Sequence, residues 1–266
     1  MRAWLGALAL LVSGCCRGPS FVESPNAPTE VAASSERPGD SSPENPVVVR
    51  LPTSDGLIIE AELTEAEDPI GAVVLVHMLG RNRLDWRPLV PALSEAGLTV
   101  LALDLRGHGG SRIQGDDDLG MQVYRPNPEL FFAMSHDVTA AARWLASRGV
   151  SPEAMALVGA SVGGPIVLDA ANHLPHLKAL VLMTPSATLF DKDTAADLAP
   201  SPPRPTLVLT SREEQSSGPE SVARGLGRTA ELRVLDERGV HGTQMLGVVP
   251  DLERDIAAWI RGQLAP

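Results

Sequence analysis

Cysteine is almost missing from the 266-residue chain: the only two, Cys15 and Cys16, adjoin each other near the N-terminus. The body downstream can hold no internal disulfide and no cysteine-ligated metal, so its core must stabilise it. Aromatic residues amount to 3%, too few to line the stacking grooves that bind carbohydrates or nucleobases. No basic block occurs, and the formal net charge is −11. Such a surface releases no counterions from phosphates, which argues against nucleic acid as a partner and leaves anionic membranes no attraction for the body. No apolar run reaches the roughly 20 residues of a spanning helix, and no internal repeat is present. What is plentiful is hydrophobic residues, at 44%. That suits one sizeable core in a chain of this length.

The N-terminus reads MRAWLGALALLVSGCC, with Arg2, an apolar run from Ala3 to Val12, and then small residues. That is the layout of a secretory signal. Val12 to Cys15, VSGC, resembles the lipobox of bacterial lipoproteins. The resemblance implies that Cys15 is lipidated and becomes the new N-terminus, which places the protein at a bacterial membrane of the cell envelope. Residues 17–46 are dominated by Pro, Ser and Glu, and almost nothing apolar recurs. Burial in such a segment cannot offset its ordering entropy. The chain is expected to divide into a signal peptide (1–14), a lipidated disordered tether (15–46) and one folded domain (47–266).

Within that domain, VVVRL and LIIEAEL flank the turn PTSDG and predict a hairpin. GAVVLVH, LTVLALD, AMALVG, LKALVLMT and PTLVLTS are continuous apolar runs of the kind that marks strands buried on both faces. AELRVLD is a further strand. Helical spacing covers Asp85–Gly97, Asn127–Gly149, the stretch after Ser161, Pro219–Gly227 and the C-terminus up to a break at Pro250. Alternation of strand and helix predicts a mostly parallel eight-stranded α/β sheet flanked by helices. Sites in such sheets lie outside the carboxyl ends of the strands. The loops after Val76, Leu103, Val158, Leu209 and Leu235 are therefore where chemistry is expected.

The loop after Val158 holds Gly159-Ala160-Ser161-Val162-Gly163, a G-x-S-x-G segment between a strand and a helix. Glycines at its ends let strand and helix approach closely, and the serine is forced into a strained backbone with its hydroxyl projecting. The other reading is a plain turn with a capping serine. A serine alcohol needs a base. Of six histidines, His241 in ERGVHGT lies after the last strand and completes the order Ser, acid, His. The acid is expected in SREEQSSG after the strand PTLVLT. Register favours Glu214 over Glu213, whose side chain is placed toward solvent, with Asp236 held in reserve. The oxyanion hole is expected from the backbone N–H of Val162 and, in the loop His77-Met78-Leu79-Gly80, that of Leu79. Asp116-Asp117-Asp118 has no flanking ligands and reads as a solvated turn; no metal or cofactor is implied.

VVLVHMLG, LALDLRGHGGS, LVGASVGG and GVHGT, in that order, resemble the α/β-hydrolase superfamily from about Val47 onward. The resemblance implies a serine hydrolase that cleaves a small-molecule carboxylic ester through an acyl-enzyme. It also implies structural rather than chemical roles for DLRGHGGS and His108. Two departures stand out: Met78 follows His77 where glycine is usual, and the acid is Glu where Asp is usual. Thr184–Pro205, where a cap is often inserted, is short and predicts a minimal cap and an open site. Ile113–Pro126 is a second candidate flap. Dienelactone-type hydrolase, thioesterase and peptidase activities are the enzymatic alternatives. A non-catalytic envelope lipoprotein retaining the fold is the other.

Overall fold

A computed structural model describes residues 46–265. The expected signal peptide, Cys15 and the tether lie outside the described residues, apart from Pro46.

The continuous apolar runs form strands that are buried along their whole length. They are β3 (Gly71–Val76), β4 (Leu98–Leu103), β5 (Met155–Ala160), β6 (Ala179–Met183) and β7 (Thr206–Ser211). The hairpin strands β1 (Val47–Pro52) and β2 (Ile58–Thr64), and the last strand β8 (Ala230–Leu235), are only partly buried. All eight form one sheet in the order β1-β2-β4-β3-β5-β6-β7-β8. β1 pairs antiparallel with β2, and β2 antiparallel with β4. Every other pair is parallel. The α/β sheet predicted from the sequence is the one observed.

The period-2 alternation of a strand sorts its side chains between two cores. Val74 and Val76 join Leu101, Leu157, Leu182 and Val208 on one face. Three helices cover that face: α2 (Pro128–Ser147), α3 (Gly163–Ala171) and α4 (Pro219–Leu226). Val73 and Leu75 join Val100, Val158, Val181 and Leu209 on the other. There the cover is α1 (Val90–Glu95) and α5 (Leu252–Leu264), through Leu93, Ile256 and Ile260. Asn127 starts α2 by accepting from the Leu130 N–H, with Pro128 at the first helical position.

Segment Thr184–Pro205 has no α-helix; it carries a two-residue hairpin, Thr188–Leu189 against Lys192–Asp193. The expected minimal cap is smaller still.

One ion cluster ties the β1–β2 turn to the carboxyl end of β4. Arg106, after β4, donates three bonds of 2.6–2.9 Å to the fully buried Asp137 of α2 and two, of 2.6 and 3.1 Å, to Asp55 in the β1–β2 turn. The two carboxyls respond oppositely. Burial pushes Asp137 up to about 6 against the pull of Arg106. Hydrogen bonding from the same guanidinium draws the partly exposed Asp55 down to about 2. Removing one member of such a cluster costs about 3–5 kcal/mol, because a buried charge is left alone.

Candidate active site

Ser161 stands on the corner between β5 and α3. Its φ is +51°, in a left-handed region that costs a non-glycine residue of order 1–3 kcal/mol. The corner is fastened on both sides: the Ser161 N–H donates to Met183 O (2.8 Å), and the Ser161 carbonyl accepts from the Gly164 N–H (2.9 Å). The flanking glycines are required by space. A Cβ on Gly159 would run into the Gly163 carbonyl; one on Gly163 would lie 2.6 Å from Val76 O and 2.9 Å from His77 O. The second contact presses the corner against the end of β3, where the loop of Met78, Leu79 and Gly80 begins.

His241 lies in the loop after β8, at the same edge of the sheet. Its Nδ1 is 2.8 Å from Glu214 Oε2, and both side chains are about one-third exposed. Glu214 arrives from the loop after β7. Among the described residues no hydrogen bond joins Ser161 Oγ to the other ring nitrogen of His241; such contacts commonly tighten only around a substrate. Glu213 is exposed, as its position in the sequence suggested. Its Oε2 accepts from the Gly239 N–H at 3.0 Å and so braces the histidine loop. Asp236 points away, in an exposed ion pair with Arg212.

The oxyanion donors expected from the sequence are the backbone amides of Val162, directly after Ser161, and of Leu79, in the loop after β3. Among the described residues neither N–H has a backbone acceptor. Leu79 itself is exposed, while Met78 is buried and packs beside Gly242 next to the histidine. The methionine that replaces the usual glycine thus fills the gap between the two loops.

His77 is fully buried and bonded through both ring nitrogens: Nδ1 to Met78 O at 2.8 Å, and Nε2 from the Leu105 N–H at 3.1 Å. That pattern makes Nδ1 the protonated nitrogen. Burial, helped by repulsion from His108, pushes its pKa down to about 3, so the ring stays neutral. His108 packs edge-on to it with centroids 4.8 Å apart. Both histidines hold the loop in shape. His173 and His176 are exposed, and His136 on α2 meets Ser54 rather than the site.

Three further residues position the histidine loop. Thr184, buried and at φ +46°, accepts from the Gly242 N–H through its hydroxyl (2.7 Å). Gln244 Oε1 accepts from the His241 N–H at 3.2 Å. Asp85 accepts from the Thr243 hydroxyl at 2.8 Å. Thr184 was within reach of sequence reading, because it follows a buried strand at the carboxyl edge. Gln244 pairs locally, three residues from His241, whereas the Asp85 partner of Thr243 is distant in sequence and carries no local signal. Two cavities, of about 410 and 190 Å³, flank α2 and include none of Ser161, Glu214 and His241 in their lining.

The sequence profile of the α/β-hydrolase fold family matches residues 71–226, more than half of the chain. The chain belongs to the α/β-hydrolase family. This α/β-hydrolase is 31% identical over 121 residues to protein phosphatase methylesterase 1 of Mus musculus, a stretch that covers 44% of the chain and 28% of that enzyme. The chain therefore spans less than a third of the curated relatives it first matches. Among solved structures, the esterase domain of a Rhodothermus marinus protein superposes with a TM-score of 0.62 at 18% identity, covering 83% of this hydrolase and all of that chain. Dienelactone hydrolase from Anabaena variabilis gives 0.62 at 19% identity, with 82% and 96% covered. At these identities the two structures speak to the fold alone.

Proposed function

We propose that this α/β-hydrolase cleaves a carboxylic ester through an acyl-enzyme, with Ser161 as nucleophile, His241 as base and Glu214 as the acid that orients it. The observation that carries this is the 2.8 Å contact between Glu214 and His241 at the sheet edge where Ser161 is held at positive φ. Ser161 Oγ would attack the ester carbonyl while its proton passes to His241 Nε2. Glu214 holds the proton on Nδ1 and stabilises the imidazolium. The N–H groups of Val162 and Leu79 would receive the oxyanion. His241 then returns the proton to the departing alcohol, and water repeats the sequence to release the acid. The methylesterase relatives support an ester over an amide.

The test is pre-steady-state hydrolysis of p-nitrophenyl acetate. A burst of p-nitrophenol approaching one equivalent per chain, followed by slower turnover, is expected for the acyl-enzyme. Absence of any turnover by the folded protein would favour a non-catalytic lipoprotein of the same fold.

We also propose that the protein is exported and anchored in the cell envelope through lipid on Cys15. The support is the VSGC segment behind an apolar run. Stable anchoring needs more than one acyl chain. The wild type is expected in the detergent phase on Triton X-114 partition and Cys15→Ser in the aqueous phase. Equal membrane retention of the variant would contradict the anchor.

A further inference from the structure

The segment after β4 builds a small platform beside the oxyanion loop. Ile113–Gln114 and Asp117–Asp118 form a two-residue hairpin, closed by a double Arg112–Asp118 bond of 2.7 and 2.8 Å. Gln114 ties it to the start of β2 by accepting from the Ile58 N–H and donating to Ile58 O. Val123 then turns inward, 2% exposed, and fills the space over Gly107, where a Cβ would lie 2.5 Å from its Cγ1. Tyr124 is next in sequence. It is 70% exposed, yet its hydroxyl lies 3.2 Å, and its ring edge 3.7 Å, from where a Cβ would stand on Gly80. Gly80 directly follows Leu79. The chain's only tyrosine is thus seated on the oxyanion loop by a fastened backbone.

Two apolar residues close to this seat in sequence, one beside Gly80 and one before Tyr124, are exposed as well. Leu79 is 43% exposed and Met121, three residues before Tyr124, 58%. A phenol face, a thioether and a branched alkyl group all attract an aromatic ring: the first by offset or edge stacking, the second by sulfur–π contact. The neighbouring charges Arg81 and Arg112 are committed to Asp85 and Asp118. We propose that Tyr124 is a specificity-determining residue of this hydrolase, its ring receiving an aromatic group on the acyl or alcohol side of the ester. The proposal rests on the ester-hydrolase reading above.

The experiment compares wild type, Tyr124→Ala and Tyr124→Phe of the full chain on ethyl acetate, phenyl acetate and ethyl phenylacetate. Thermal melting and fluorophosphonate labelling are run on each variant. Tyr124→Ala is expected to lose about five- to tenfold in kcat/KM on whichever aromatic ester uses the platform, through KM. Ethyl acetate should stay within twofold, and Tyr124→Phe within twofold on all three. An equal loss on all three esters, or none, would overturn the proposal. So would a large fall in kcat for Tyr124→Phe, which would give the hydroxyl a bond to the reacting carbonyl instead. If the wild type is labelled but Tyr124→Ala shows no aromatic selectivity change, only this inference fails. If the wild type is neither labelled nor active, the hydrolase reading fails and this inference with it.

Discussion

Ser161→Ala is expected to lower kcat on a short-chain p-nitrophenyl ester by about 10⁵- to 10⁶-fold, the scale on which serine triads lose turnover when the nucleophile is removed. Only the oxygen is taken away, so folding should be kept. The β-carbon still sits at the φ +51° corner, and the backbone bonds to Met183 and Gly164 do not involve the hydroxyl. His241→Ala should cost nearly as much, and the double variant little more than either, because nucleophile and base act as one unit. What should survive is the contribution of substrate binding and of the oxyanion hole proposed at the Val162 and Leu79 amides, which neither change touches. Progress curves at substrate saturation measure all three variants. A Ser161→Ala protein within tenfold of wild type would assign the chemistry to another group.

Glu214→Gln is expected to cut kcat by about 10⁴-fold with KM nearly unchanged. The amide keeps the length of the side chain but presents a neutral partner to His241 Nδ1. It can be satisfied with the wrong tautomer and gives the imidazolium no countercharge. Glu213→Gln should be nearly silent, since the amide oxygen can still accept from the Gly239 N–H that Glu213 now holds. Asp236→Asn should be silent too, because its partner is the exposed Arg212. Measured side by side, the three variants locate the acid. Full activity in Glu214→Gln together with loss in Asp236→Asn would move it past β8.

Much of this was legible in the sequence, for a physical reason. A strand buried on both faces must be apolar throughout, so GAVVLVH, LTVLALD and LVGA announce themselves. A corner that forces two backbones within contact must be glycine, so Gly159 and Gly163 bracket Ser161. The acid was harder. Glu213 and Glu214 are adjacent and chemically identical, and only the turn after Ser211 decides which one faces His241 and which one braces Gly239. The small hairpins at Ile113–Asp118 and Thr188–Asp193 were not legible, because two-residue strands have no periodicity to detect. Tyr124 was hidden likewise. Its seat on Gly80 depends on Val123 turning into the core from a turn far in sequence from both β4, which ends at Leu103, and β5, which starts at Met155.

In the proposed mechanism Ser161 is a nucleophile activated in place by His241 and Glu214. The most direct test is reaction of the full-length protein with a fluorophosphonate, followed by mass spectrometry of the peptides. One phosphonyl adduct is expected, on Ser161, lost in Ser161→Ala and formed far more slowly in Glu214→Gln. Folded wild-type protein that takes up no probe, or takes it up on another residue, would contradict that mechanism.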